Sequence, residues 1–370
     1  MVGLGKYEKL PVKEILLEEN AELSALTAEI LNRVKGSSVK VRRIKEDREG
    51  RRVKGLDSKT SLYLTPFPGA LLKPCPGTKA YICCGYQILH LGTNCPMDCA
   101  YCILQAYFDR PRPTVFTNIW ERLREVAQIL DAQPARVFRL GTGEFMDSLA
   151  LDPLVGWSRT LMPFVSSRKN TILEFKTKTD RIEGLLSSDS RDRIVVSWSL
   201  NSPDIVASEE RGTSGLRKRL ESARRCQEEG FVVGFHLDPI IRHEDWRDQY
   251  ARTIEMLDKF VRPDRIIWIS MGCLRYVPQL KSIIRKRHPK SGVVDGEFIR
   301  GLDGKMRYFR PLRAEMYAHL AGTLGEWSKD LGLYLCMESH EVWLESLGWS
   351  PMDSAGLSAY LDERVAKLFG

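Results

Sequence analysis

No apolar run in this 370-residue chain reaches the ~20 residues that a membrane-spanning helix needs. The opening stretch, MVGLGKYEKLPVKE, holds no apolar segment of signal-peptide length. No long low-complexity tract interrupts the chain, and 43% hydrophobic with 28% charged residues is the composition of a soluble globular protein. These absences exclude an integral helical membrane protein and a fibrous or disordered one, and they set an expectation of a cytoplasmic chain off the membrane. In that compartment the nine cysteines are expected to be reduced, so metal or redox chemistry is favoured over a disulfide framework. The net charge of +8 permits a nucleic acid or another polyanion as partner without requiring one.

Residues 1–80 read as a basic N-terminal extension. Within it VKGSSVKVRRIKEDREGRRVKG (34–55) is either a solvated helix or mobile arm, or an arm that binds phosphate. LTPFPGALLKPCPGTKAYICCGY (64–86) is rich in Pro and Gly and reads as an extended lead-in. From residue 86 short apolar runs, expected as strands over 86–91, 136–141, 171–177, 193–200, 231–237 and 265–271, mostly alternate with segments of helical period at 119–130, 152–165, 180–186, 214–230 and 245–261. This rhythm predicts a parallel sheet covered by helices over residues 81–300, an open or closed barrel with a doubly wound sheet as rival. Residues 301–370 read as a helix-rich C-terminal extension, with a helix at 312–330 and two more towards the end.

GTNCPMDCAYC (92–102) places Cys95, Cys99 and Cys102 just after the first expected strand, where a parallel α/β barrel keeps its chemistry. Three cysteines do not close a tetrahedral zinc site alone, and zinc would have to recruit a fourth ligand such as Cys83 or Cys84. Three thiolates can hold a [4Fe–4S] cluster with one iron left open for a ligand. Unliganded buried thiols are the third alternative. LGTGE (140–144), after the second strand, offers glycines for close backbone approach and Glu144 as acceptor for a cation, or is a plain strand-end turn.

The loop Cys95-x3-Cys99-x2-Cys102, with Tyr101 before the last cysteine, resembles the radical S-adenosylmethionine (SAM) superfamily. That resemblance implies a partial (β/α)6 TIM-like barrel, a [4Fe–4S] cluster on the three cysteines, and SAM on the open iron, cleaved to a 5′-deoxyadenosyl radical. Gly141, Thr142, Gly143 and Glu144 are similar to the superfamily's Gly-Gly-Glu element, which binds the SAM ammonium. The ordered set GTNCPMDCAYCILQ, FKTKTD, SWSLNS, ERGTSG and GFHLDPIIRHEDW, over roughly residues 80–300, is similar to spore photoproduct lyase and its homologues. The resemblance implies SAM contacts from Lys178 and Ser199. Asn201, His236 and Asp238 end the fourth and fifth strands and are expected at the same mouth. Arg242, His243 and Trp246, with Arg275 and Tyr276 past the sixth strand, form a set suited to phosphate and base faces; an Arg–Glu pair with a packing Trp is the plainer alternative. The implied reaction splits a methylene-bridged thymine dimer in DNA. DNA or another nucleic acid and an external one-electron donor such as flavodoxin or ferredoxin are the expected partners, and the chain is expected to act as a monomer.

Two positions depart from the family pattern. The family's hydrogen-donor cysteine after the second strand is absent from FRLGTGEFMD (138–147), where Thr142 lies closest, and an O–H bond is too strong to replace a thiol S–H. The family's tyrosine after the last cluster cysteine is here Ile103. Cys336, in YLCMESHEVW, is expected to return the hydrogen instead, with Tyr101 as the other catalytic side chain; Cys273 is a second candidate donor, and both cysteines read equally as small buried hydrophobes. Two alternatives stay open: a radical SAM enzyme acting on another nucleic-acid lesion, modification or small substrate, and a non-catalytic zinc-stabilised nucleic-acid-binding protein.

Overall fold

Residues 12–45, 56–78 and 80–370 are described by the structure, a computed structural model. Seven parallel strands form its centre: β1 (Gln87–Leu89), β2 (Phe138–Gly141), β3 (Thr171–Thr177), β4 (Ile194–Ser199), β5 (Val232–Ile240), β6 (Ile266–Cys273) and β7 (Leu333–Leu335), neighbours in that order, with Leu72–Pro74 antiparallel on the β1 edge. Strands β4 and β6 are buried along their whole length, as expected where helices cover one face and a barrel interior the other. Helices pack outside through apolar stripes of helical spacing; Leu216–Glu228 buries Leu216, Leu220 and Ala223. The result is a mixed α/β fold with a curled half-barrel sheet, as the alternating rhythm predicted.

Four expectations need correction. The helix at 152–165 is two, Asp152–Val155 and Trp157–Ser166, broken where Gly156 adopts φ +71°. The C-terminal part, expected as helix-rich with a strand or bridge ending at Cys336, has its helices Arg310–Trp327, His340–Leu347 and Ser354–Phe369 and its strand as β7, but it is entered through an unforeseen hairpin of Phe298–Arg300 with Met306–Tyr308. The charge run at 34–55 contains an exposed edge strand, Lys40–Ile44, rather than a helix; its residues 46–55 lie outside the described residues. The boundary expected at residue 80 is crossed by a second sheet. Its order is Lys40–Ile44, Glu14–Glu18, Ser61–Thr65, Thr114–Phe116 and Gly92–Thr93, so its last two strands come from either side of the cysteine loop.

That sharing has a mechanical consequence. The chain leaves β1, joins the N-terminal sheet at Gly92, makes the cysteine loop and rejoins that sheet at Thr114. Leu62, Leu64 and Val115 are fully buried at this seam. Leu64→Ala is therefore expected to lower stability by about 2–5 kcal/mol, read by denaturant unfolding as one transition displaced as a whole; two separate transitions would show an independent N-terminal domain.

Candidate active site

Cys95 and Cys99 are buried and Cys102 half-buried on a loop held from three directions. A short antiparallel pairing sets Cys99 opposite Glu210, and the Ala100 amide donates to the Glu209 carbonyl at 2.8 Å. Lys59 Nζ donates to the Cys95 carbonyl at 3.0 Å. Arg287 pairs with Asp98 at 2.6 Å and bonds Gln105, whose amide donates to the Ala100 carbonyl at 2.9 Å. The strongest tie is the buried Glu210 carboxylate, which meets Lys178 Nζ at 2.7 Å and Arg219 Nη2 at 2.5 Å and accepts the Tyr101 hydroxyl. Lys178 also donates to Tyr101 Oη at 2.9 Å. Burial alone would raise the Glu210 carboxyl, but Lys178 and Arg219 hold it down at about 2.

The thiols suit a cluster. Burial pushes Cys95 up to about 12, with the Asp147 carboxylate adding to it, and pushes Cys99 well above its ordinary value. Both stay protonated until a metal displaces the proton. Lys59 opposes the shift at Cys95 and Lys178 that at Cys99, so cations already stand where thiolate charge would form. Among the described residues no three His, Cys, Asp or Glu side chains gather tightly enough for a single ion. A cubane spreads its thiolates over separate irons and does not need that convergence. Cys83, wanted as a fourth zinc ligand, instead bonds Thr78 through its sulfur.

Beside the loop, at the C-terminal mouth of the barrel, lies a cavity of about 250 Å³. Tyr101 and Cys102 form one wall, and Gly143, Glu144, His236, Asp238, Arg275 and Cys336 contribute others. Thr142 is buried and donates to Ser148 Oγ at 2.7 Å, off the cavity wall. Gly141 also lies off that wall: a Cβ there would fall 1.3 Å from Tyr86 Oη, so Tyr86 is what this glycine accommodates. Ser199 is buried at the end of β4 and its carbonyl accepts from Arg219 at 2.8 Å. Asn201 does not reach the mouth; its amide bonds the Pro239 carbonyl at 2.9 Å and Tyr250 Oη at 2.5 Å. Asp238 is clamped by Arg275 at 2.9 and 3.1 Å, and Arg275 Nη2 stands 3.3 Å from Cys336 Sγ. Cys273 is buried away from the cavity.

The nucleic-acid set divides. Arg242 is exposed, and His243 is half-buried against Ser202 at 2.8 Å. Trp246 is core, packed edge-on to His319, and Tyr276 is buried against Phe298, so neither offers a base platform.

Sequence reasoning placed His236 at the mouth but missed the interior row to which it belongs. His236, Ser270 and Tyr334 are register partners across β5, β6 and β7. Ser270 meets His236 Nδ1 at 2.6 Å, and His236 Nε2 meets Glu174 at 2.9 Å. Glu174 Oε1 also accepts from Ser197 at 2.5 Å and Trp268 at 2.9 Å. Burial is outweighed there by His236 and the other donors, which hold this carboxyl at about 2. Lys176, Cys75 and Cys84 also line the cavity unforeseen. The lone signal was charge inside the apolar run TILEFKT.

The Glu210 carboxyl sits below its unfolded value of ~4.3, so its stabilisation is present above that pH and is lost as pH falls towards 2. Glu210→Gln is expected to cost about 3–5 kcal/mol by leaving Lys178 and Arg219 unpaired. It should also flatten the acid limb of the stability curve and reduce iron bound on reconstitution, checked by melting temperature against pH and by iron analysis.

The spore photoproduct lyase family profile matches residues 81–307. Spore photoproduct lyase of Geobacillus sp. (strain Y412MC61) is 24% identical over 54% of this chain and 60% of its own length; that of Bacillus subtilis (strain 168) is 26% identical over 54% and 59%. The chain thus spans about 60% of the length of the curated relatives it matches. A crystallised spore photoproduct lyase cysteine-to-alanine mutant superposes with a TM-score of 0.78 at 20% identity, covering 88% of this chain and 98% of that one. A double mutant with bound AdoMet and dinucleoside spore photoproduct gives 0.77 at 20% identity, covering 89% and 99%. At this identity the structures show a shared fold, and with the profile covering more than half of the sequence the chain belongs to the spore photoproduct lyase family.

Proposed function

We propose that this chain is a radical SAM enzyme of the spore photoproduct lyase type, which opens a methylene-bridged thymine dimer in DNA. The observation that carries the reading is the pinned Cys95–Cys99–Cys102 loop beside a cavity walled by Tyr101, Glu144 and the Cys336 thiol. A relative of the same fold crystallised with AdoMet and the dinucleoside lesion supports it. Cys95, Cys99 and Cys102 would hold the [4Fe–4S] cluster, and Glu144 the ammonium of SAM. When bound, these groups supply a 5′-deoxyadenosyl radical that takes a hydrogen from the lesion. Arg242, exposed just past β5, suits a phosphate.

The chain's own chemistry is the return of the hydrogen. Cys75, Cys84 and Cys336 line the cavity, brought together because Ile82 bridges to Glu338 and lays the lead-in across the C-terminal segment. Burial raises all three thiols, so each keeps its S–H at neutral pH. We assign Cys336 as donor: its S–H bond breaks, a C–H bond forms on the product thymine, and a thiyl remains. Arg275 beside the sulfur fixes its direction.

A second reading, in which the same machinery acts on a different lesion, modification or small substrate, is favoured by Thr142 and Ile103, where the family pattern has cysteine and tyrosine. The test is anaerobic turnover of a spore photoproduct dinucleotide in D2O with SAM and reductant. Thymine dinucleotide carrying one deuterium is expected, because thiols exchange with solvent. Cys336→Ala should abolish the label and most of the product. Label lost instead on Cys75→Ala or Cys84→Ala would move the donor, and 5′-deoxyadenosine without thymine dinucleotide would favour the second reading.

A further inference from the structure

Helix Pro278–Arg287 starts three residues past Arg275 of the cavity wall and runs about 15 Å, at 1.5 Å per residue. Its far end is tied to the cysteine loop. Arg287 pairs with Asp98 at 2.6 Å and bonds Gln105, whose amide also donates to the Cys99 carbonyl at 3.2 Å. Asp98, Gln105 and Arg287 are all off the cavity wall, as is the rest of this helix. The contact therefore reaches the cysteine loop from a side that the cavity does not use.

The surface around that contact is basic. Residues 278–294 hold five Lys and Arg side chains and no Asp or Glu. Arg285, Lys286 and Lys290 are exposed. Arg211, also exposed, stands opposite Asp98 in the short pairing with the cysteine loop. Burial, with Arg287, Arg211 and Lys59 acting against Asp98, holds the enclosed His288 below its ordinary value, which puts Arg211 and Arg287 around one imidazole. Cations in a last helical turn complement the helix dipole, but that accounts for neither Arg211 nor Lys290. The Arg285 pair with Asp295 is open to water, at 60% and 55% exposure, and neutralises little of the patch.

We infer that this patch is the docking surface for a small acidic one-electron carrier protein of the flavodoxin class. The inference rests on the radical SAM reading above and goes beyond it by giving the electron an entry side. A nucleic acid has to bring its lesion to the cavity, whereas this patch stays open when the cavity is filled. From Lys286 the covalent neighbour Arg287, then Gln105, leads to the Cys99 backbone. One electron leaves the carrier's flavin hydroquinone, which becomes a semiquinone, and one enters the cluster; no bond forms or breaks. Arg285, Lys286, Lys290 and Arg211 steer the acidic partner, and Arg287 stays committed to the loop.

The test is binding of dye-labelled oxidised flavodoxin to the full chain, reconstituted anaerobically with iron and sulfide, by fluorescence anisotropy at low and high salt. The double variant Arg285→Glu/Lys286→Glu is expected to bind roughly tenfold more weakly at low salt and to lose most of the salt dependence. Stopped-flow reduction of its cluster by flavodoxin hydroquinone should slow by a similar factor. Photoreduced 5-deazaflavin, a small uncharged radical, should reduce both proteins within about twofold, because it does not feel the patch. Lys259→Glu/Arg262→Glu makes the same charge change on exposed residues before β6, at the opposite end of the barrel strands, and should leave flavodoxin binding within about twofold. Unchanged flavodoxin binding in the patch variant, an equal loss in the Lys259/Arg262 variant, or a loss of duplex DNA binding in place of flavodoxin binding overturns the inference. A cluster that 5-deazaflavin cannot reduce counts against the radical SAM reading instead, and the binding measurement stands apart from it.

Discussion

One buried carboxylate organises the mouth of this barrel. Glu210 is fully enclosed, and a lone charge there would be prohibitive without Lys178, Arg219 and Tyr101 around it. Each partner comes from a different stretch of sequence: Lys178 follows β3, Arg219 lies on the helix Leu216–Glu228 that precedes β5, and Tyr101 sits in the cysteine loop. Arg219 extends the tie, donating to the Ser199 carbonyl at 2.8 Å and the Ser214 carbonyl at 2.8 Å. FKTKTD, ERGTSG and GTNCPMDCAYC are therefore one electrostatic unit. Their order along the chain reflects which strand ends must meet at this carboxylate.

The strands were legible because both of their faces are covered. A parallel strand between helices and a filled interior must be apolar along its length, and RIVVSWSL or RIIWISM can be little else. The cysteine loop was legible because ligand spacing is local chemistry. What escaped was whatever depends on contact between distant segments. LGLYLCMES carries the same apolar signal as the other strands, but its place beside β6 is set by pairing of Ser270 with Tyr334, far away in sequence. The N-terminal sheet was invisible for the same reason, since Ser61–Thr65 gains its partner only from Thr114–Phe116 beyond the cysteines.

The glycines of LGTGE show how a correct motif can carry an incomplete reason. Read alone, they suggest backbone approaching a ligand. In the fold, Gly141 is bare because the Tyr86 ring lies against it, and Gly143 because the Lys176 stem does. Tyr86 arrives from just before β1 and Lys176 from β3. The glycines admit side chains that then face the cavity, so what looked like ligand space is filled first by protein. The same holds for His236, read as a group at the mouth: its two ring nitrogens are taken by Ser270 and Glu174, which makes it part of a wall that sets polarity.

Cysteine is sorted into two roles here by chain connectivity more than by burial. Burial raises the thiols of Cys95 and Cys99 as it raises those of Cys75, Cys84 and Cys336, so environment alone would leave all of them protonated. Cys95, Cys99 and Cys102 share one short loop whose backbone is fixed by Lys59, Glu210 and Arg287, so binding a cluster can displace their protons without unfolding anything. Cys75 and Cys84 come from the lead-in and Cys336 from just past β7; the amides of Cys75 and Cys336 pair with the backbone of Tyr86 and Met271, and the Cys84 carbonyl accepts from Arg139 at 2.7 Å. Chelation would have to pull those elements together against the packing of the barrel. They therefore retain their S–H bonds at the cavity wall, which is the state a hydrogen-atom donor requires.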